Sequence, residues 1–298
     1  MPHSTIDGIY PAIVTPLTGE GRIATDVAEK LAARLLSAGV DGLYAAGSTG
    51  EGMRMTLENR KVLVEALMKN LPSEKKLIVH VGANNPEDAF RLADHAAQVG
   101  AHAISSLPPR GSFNDVHSYY ERLAKQSSLP LIVYYFPEAC PDAFTRPEEL
   151  VRAAAIENVM GVKFTDYNLY LLAQLSKSKI VFNGRDEVLA AGLLMGARGG
   201  IGSTYNLLPE LYVALYRHAL HQEWEQAAKL QRIVNEAIAV LVKYPFIGAL
   251  KAALAEQGFE CGGALNGQEF ESDAQRRQFL SEFNRALPDR AHDGGREN

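Results

Sequence analysis

The feature that most restricts the fold of this chain is a pattern that repeats along it: a short apolar run, a polar turn, then a longer amphipathic stretch. The runs cover residues 9–14, 43–46, 77–81, 103–107, 131–135, 159–164, 180–182 and, more weakly, 199–202. They are rich in Val, Ile and Tyr and do not alternate cleanly with polar residues. A strand with one wet face alternates, whereas a strand covered on both faces of a parallel sheet does not. The stretches between the runs carry helix-start signals. Asn85-Pro86-Glu87-Asp88 offers a cap, a proline at the first helical position and early acid. Thr145-Arg146-Pro147-Glu148 has the spacing of a capping box. Val62, Leu63, Ala66 and Leu67 fall on one helical face after Thr56. Strand and helix alternating about eight times favours a closed (β/α)8 barrel, with an open doubly wound sheet as the alternative.

A chain of 298 residues could hold two domains, but an α/β barrel of roughly 250 residues is routinely one. No low-complexity linker interrupts it. The expected fold is therefore α/β: a TIM-barrel core over residues 1–206, then the last barrel helix and a C-terminal helical extension over 207–288. Helical stretches at 207–221, 223–243, 246–257 and 272–286 carry that extension. Residues 289–298 form a polar tail expected to be disordered.

Composition excludes several classes of function. The apolar fraction of 47% and charged fraction of 22% are those of an average globular protein. A net charge of −5 with no basic face or arm argues against nucleic acid or an anionic membrane as partner. Residues 1–8 lack the charged start and apolar core of a signal peptide, and no run approaches the ~18 apolar residues of a membrane span. Cys140 and Cys261 are the two cysteines, without metal-type spacing, so no disulfide framework is expected. A cytosolic protein is the expectation. No metal is expected either: His218, His221 and Glu225 share a helical face, but nothing puts them near strand ends.

In such a barrel the reacting groups lie at the C-terminal ends of strands and in the loops that follow. Lys163 ends the sixth run, in Gly161-Val162-Lys163-Phe164-Thr165-Asp166. Keeping a lysine charged in a barrel interior is costly, and the neutral amine is the nucleophile that attacks a ketone to form an imine. Tyr134 and Tyr135 end the fifth run, where one faces the interior and the other the helices; an inward phenol beside an amine can move a proton. Gly47-Ser48-Thr49-Gly50-Glu51-Gly52 follows the second run. Its glycines and hydroxyls suit a small anion. Met53-Arg54 stands where a nucleotide P-loop needs Lys-Ser/Thr, so a carboxylate fits better. Asn183-Gly184-Arg185-Asp186-Glu187 and Gly202-Ser203-Thr204 follow the last two runs and could bind a polyhydroxylated substrate. Taken singly, each group has an ordinary explanation: a snorkelling lysine, a core aromatic, a common glycine turn, acids at a helix start. Their shared position at the ends of strands two, five, six, seven and eight gives them weight, because those ends converge only in a barrel.

At these residues the chain resembles the pyruvate-dependent Schiff-base aldolases that include dihydrodipicolinate synthase and N-acetylneuraminate lyase. The resemblance runs from about Ile9 to about Lys251, with several separated motifs in the right order. It implies that Lys163 forms the imine, that Tyr134 transfers the proton, and that Ser48 and Thr49 bind the substrate carboxylate. Thr165, Gly184, Asp186, Glu187 and Ser203 match positions where the lyase branch holds the hydroxylated part of a sialic acid. His80-Val81-Gly82-Ala83 is similar to that branch as well. The activity implied is cleavage of N-acetylneuraminate to N-acetylmannosamine and pyruvate. The covalent imine then makes a separate cofactor unnecessary, and a homo-oligomer, commonly a tetramer, is expected.

The synthase branch places an arginine after its tyrosine motif to bind a second carboxylate, whereas Pro137-Glu138-Ala139-Cys140 stands here. Two further segments depart from the family pattern. Leu107-Pro108-Pro109-Arg110-Gly111-Ser112 lacks a tyrosine that often reaches a neighbouring subunit's site, which would route the proton relay through Ser48, a water or the substrate. Cys261-Gly262-Gly263-Ala264-Leu265 lacks an Arg-x-Pro segment. Two other readings stay open: an aldolase or dehydratase for another 2-keto-3-deoxy sugar acid, with Arg110 and Arg185 as cations for a second acidic group, or a non-catalytic barrel that binds a sugar acid.

Overall fold

Side-chain parity along eight strands sorts the core into two layers. The computed structural model describes residues 6–109 and 116–287. The strands are β1 (Gly8–Pro11), β2 (Gly42–Ala45), β3 (Lys76–His80), β4 (Ala103–Ser106), β5 (Leu131–Tyr135), β6 (Val159–Phe164), β7 (Ile180–Asn183) and β8 (Gly199–Gly202). All pair in parallel, in the order β1-β8-β7-β6-β5-β4-β3-β2. One set of positions, including Tyr10, Tyr44, Ile78, Ile132, Phe182 and Ile201, fills the barrel interior. The alternate set, including Ile9, Leu43, Val79, Val133, Val162 and Val181, packs outward on the helices. Both faces are therefore apolar, which is why the runs do not alternate.

The ring closes between β1 and β2 through one bridge, Ala12 to Tyr44. Ile13 N donates to Tyr44 O at 3.0 Å and Asp41 N to Ile9 O at 3.0 Å. Where the ladder is short, a side chain substitutes: Asp41 Oδ2 accepts from Ile9 N at 2.8 Å. Gly8 makes this approach possible, with φ at +103° and no room for a Cβ, which would stand 2.0 Å from that carboxylate. The eighth strand reads weakly in sequence for a related reason. A Cβ on Gly199 would stand 1.9 Å from Gly8 O, so the β1–β8 contact excludes the side chains that announce a strand.

Seven helices connect the strands: α1 (Thr25–Ser37), α2 (Leu57–Lys69), α3 (Pro86–Gln98), α4 (Val116–Gln126), α5 (Pro147–Ala154), α6 (Leu169–Leu175) and α7 (Leu189–Leu194). Asn85 caps α3, accepting from Glu87 N at 3.1 Å ahead of Pro86. At α5 the cap falls one residue later than the expected box. Arg146 is the cap, and the Glu149 carboxylate accepts from Thr145 N at 2.8 Å and Arg146 N at 3.3 Å. The face expected for α2 is also corrected. Val62 is 40% exposed, while Arg60 and Val64 join Leu63, Ala66 and Leu67 inside. Arg60 belongs there because its guanidinium donates to the backbone oxygens of Gly82, at 2.8 Å, and His80, where β3 ends.

After β8, α8 (Pro209–Leu220) packs on β1 and α7. Three further helices, α9 (Trp224–Leu241), α10 (Phe246–Glu256) and α11 (Asp273–Ala286), form the extension. The first packs on α7 and α8, and the other two pack on it. No single helix among the described residues is long and apolar enough to cross a membrane; α9 and α10 approach the criterion only as a pair bent by 113°. The segment Arg110–Ser112 and the tail 289–298 lie outside the described residues.

Candidate active site

An inward parity at the strand ends brings reactive groups together above the apolar plug. In β5, Ile132 points inward, so Tyr134 does too. Tyr135 faces the helices, where its hydroxyl donates to Asp166 Oδ2 at 3.2 Å. In β6 a register shift is decisive. Leu131 pairs with Val159 and Ile132 with Gly161, so Met160 is an extra residue in the ladder. This bulge turns Val162 and Phe164 towards the helices and Lys163 into the barrel, in register with Tyr134.

Lys163 is 4% exposed. Its Nζ lies 4.0 Å from the Tyr134 ring centroid and 4.3 Å from that of Tyr44. The Tyr44 hydroxyl donates to Ser105 Oγ at 3.1 Å, and burial holds its pKa well above the usual phenol value, so Tyr44 is a neutral wall. His80 stands edge-on to Tyr134, with ring centroids 5.9 Å apart. Its Nε2 accepts from Leu107 N at 3.1 Å, which leaves Nδ1 to donate to Ala46 O at 3.1 Å. Burial first, then the charges of Arg60 and Lys163, keep this imidazole well below its ordinary pKa. It is a neutral strut tying the ends of β2, β3 and β4, and sequence reasoning gave it no role.

The turn after β2 brings its hydroxyls over the amine. Ser48 Oγ and the Tyr134 hydroxyl are 3.3 Å apart. Thr49 Oγ1 and Ser203 Oγ are 2.6 Å apart, linking this turn to the one after β8. The opposite side follows β7. Asp186 is 7% exposed; its Oδ2 accepts from Thr204 N at 2.8 Å and Thr204 Oγ1 at 2.7 Å. Burial nevertheless pushes its pKa up to about 6. Glu187 accepts from the Tyr167 hydroxyl. Thr165 Oγ1 is buried without a hydrogen-bond partner, and a Cβ on Gly184 would stand 2.1 Å from it. Arg185 is ion-paired with Glu138, and its guanidinium lies over the rings of Tyr167 (4.5 Å) and Phe136 (5.5 Å).

Ser48, Thr49, Tyr134, Lys163, Thr165, Gly184, Asp186, Glu187 and Ser203 all line one cavity of about 400 Å³, within the usual size of small-ligand sites. Sequence reasoning missed its other wall, which comes from the extension: Ile238, Val242, Phe246, Ile247, Asn266 and Gln268. It also missed the support beneath the acids. Gln231 of α9 donates to Asp186 O at 2.9 Å and accepts from Ala190 N at 2.8 Å, and Asn235 donates to Glu187 O at 3.0 Å. Polar residues four apart on a helix were the available signal, but nothing in the sequence names their partners. Among the described residues no group of three or more His, Cys, Asp or Glu side chains could hold a metal ion. His218 meets Glu223 at the surface.

The arrangement pairs an amine and a phenol at the floor with a hydroxyl-rich turn on one side and acids on the other. It suits a molecule with a carboxylate and carbonyl at one end and hydroxyls at the other. The sequence profile of the dihydrodipicolinate synthetase family matches residues 5–267. The N-acetylneuraminate lyase of Rhizobium meliloti is 38% identical over 263 residues, 86% of this chain and 87% of that protein. The N-acetylneuraminate lyase of Citrobacter koseri is 30% identical over 254 residues, 83% of this chain and 85% of that one. Among solved structures, a Clostridium difficile protein crystallised with mannosamine superposes with a TM-score of 0.89 at 26% identity, covering 95% of this chain and 100% of that one. The sialic acid aldolase of Ruminococcus gnavus gives 0.86 at 26% identity, over 94% of this chain and 97% of its own. The chain belongs to the dihydrodipicolinate synthetase family.

Proposed function

We propose that this chain is a carbon–carbon lyase that cleaves N-acetylneuraminate into N-acetylmannosamine and pyruvate through an imine on Lys163. The observation that carries the reading is the meeting of the Lys163 amine, the Tyr134 phenol and the Ser48–Thr49 turn in one cavity with Asp186 and Glu187 across from them. The named relatives support it. Lys163 Nζ attacks C2 of the open-chain sugar acid, and water departs with the proton of the Tyr134 phenol, leaving a protonated imine and a phenolate. That cation accepts the electron pair of the C3–C4 bond as it breaks, so the reaction needs no separate cofactor. The proton of the C4 hydroxyl passes to Tyr134, directly or through the substrate carboxylate, and the aldehyde of N-acetylmannosamine departs. Protonation of the remaining enamine and hydrolysis of the imine release pyruvate and regenerate the amine. Ser48 and Thr49 hold the carboxylate, while Thr165, Gly184, Asp186, Glu187 and Ser203 read the sugar hydroxyls. Ser48, next to the phenol, is the nearest group to complete the proton relay.

A substrate with a second acidic group would need a free cation at the rim. Of the two arginines that could supply it, Arg185 is already engaged by Glu138, and Arg110 lies outside the described residues. The same reading carries a cytosolic homo-oligomer, a tetramer by family resemblance. Borohydride reduction with pyruvate present should leave a mass adduct on Lys163, and folded Lys163→Ala should neither form it nor turn over. Cleavage retained by that variant would refute the imine. Rates on N-acetylneuraminate should exceed those on 2-keto-3-deoxygluconate; the reverse order would transfer the assignment to the second substrate.

A further inference from the structure

We infer that the buried ion pair of Glu51 and Lys251 is a positioning device that fixes the carboxylate-binding turn against the loop after α10. This role rests on the function proposed above. Glu51 closes the turn that carries Ser48 and Thr49, with its N–H donating to Ser48 O at 3.1 Å. It holds a left-handed backbone, φ 55°, which a non-glycine residue adopts only when its surroundings impose it. Its side chain is 1% exposed and that of Lys251 3%, with Nζ 3.1 Å from Oε1. Lys251 Nζ also donates to Gly263 O at 2.6 Å, and Asn266 N donates to Glu51 Oε2 at 2.9 Å. One carboxylate and one ammonium thus join three segments distant in sequence: the turn, α10 and the loop from which Asn266 and Gln268 reach the cavity.

Neither Glu51 nor Lys251 lines that cavity, so both act through their neighbours. An ion pair this deeply buried is a poor way to gain stability, because desolvation consumes most of the attraction and apolar packing does as well. What a charged pair anchored on a backbone carbonyl and a backbone amide adds is direction. It holds the turn at one distance from the opposite loop, and the Ser48 and Thr49 hydroxyls with it. The consequence is specific to the end of the substrate that carries the carboxylate.

The test compares Lys251→Met and Lys251→Arg with the unaltered enzyme. Glu51→Gln/Lys251→Met serves as the variant without an unpaired buried charge should the single change fail to fold. Pyruvate is titrated against the borohydride-trapped adduct on Lys163, read by mass spectrometry. In the condensation direction, KM is measured for pyruvate and for N-acetylmannosamine, which has no carboxylate. In the Met variants, half-saturation by pyruvate should rise about tenfold, the effect of ~1.4 kcal/mol, with the adduct still reaching full occupancy. The KM for N-acetylmannosamine should stay within about twofold, and Lys251→Arg should restore most of the pyruvate affinity. Unchanged half-saturation in a folded variant, or an equal rise for both substrates, would overturn the positioning role alone. No adduct in the unaltered enzyme would overturn the imine, and this role with it.

Discussion

Replacing Asp186 by Asn should change how the stability of this barrel depends on pH. Burial raises the Asp186 carboxyl from 3.8 to about 6, against the lowering effect of two hydrogen bonds from Thr204. With a folded-state value above the unfolded one, the native protein keeps a proton that the unfolded chain has lost. The resulting stabilisation is complete below about pH 4 and disappears as pH rises through about 6. A gap of about two pH units at ~1.4 kcal/mol each makes this about 3 kcal/mol. Asparagine carries no charge at any of these pH values. Its Oδ1, standing where Oδ2 stood, can accept from both Thr204 N and the Thr204 hydroxyl, as the carboxylate does. Urea unfolding at fixed protein concentration, from pH 4 to pH 8, measures the effect. The variant should gain on the parent by up to about 3 kcal/mol between pH 4 and pH 7. Its KM for the sugar acid should rise about tenfold at pH 8, where an ionised acceptor has been lost. Parallel stability curves across this window would refute the argument that burial governs the carboxyl.

Gly184→Ala puts a Cβ 2.1 Å from Thr165 Oγ1 and 3.1 Å from Phe164 O, so the threonine hydroxyl must turn away. Steady-state kinetics should show a KM for the sugar acid raised by about tenfold, with pyruvate trapping on Lys163 unchanged. Gln231→Leu leaves Ala190 N and Asp186 O without their side-chain partner. It should lower stability by about 2 kcal/mol in urea unfolding and weaken sugar binding; a variant unaltered in both would show that α9 does not support the acids.

The strands were legible because both their faces are apolar, and the candidate site because its groups stand where strand ends converge in a barrel. Less was legible wherever geometry depends on a distant partner. Met160 looks like any strand residue, yet the bulge it makes decides which way Lys163 points. Val62 fits the apolar face of α2 by spacing alone, but the inner position goes to Arg60, which finds two carbonyls at the end of β3. The extension reads as surplus helices in sequence, and only packing makes it a cavity wall. Arg185 looks like a rim cation until Glu138, 47 positions away, neutralises it.

The Glu51–Lys251 pair has a consequence for the order in which the protein can be finished. Synthesis delivers the Ser48–Glu51 turn early, but the amide that clasps Glu51 belongs to Asn266, 215 positions later. A nascent chain that has emitted all eight strands still lacks both the ammonium and that amide, so its Glu51 has no reason to leave water. The Ser48–Glu51 turn therefore lacks its clasp until Asn266 has been made, well after the eighth strand.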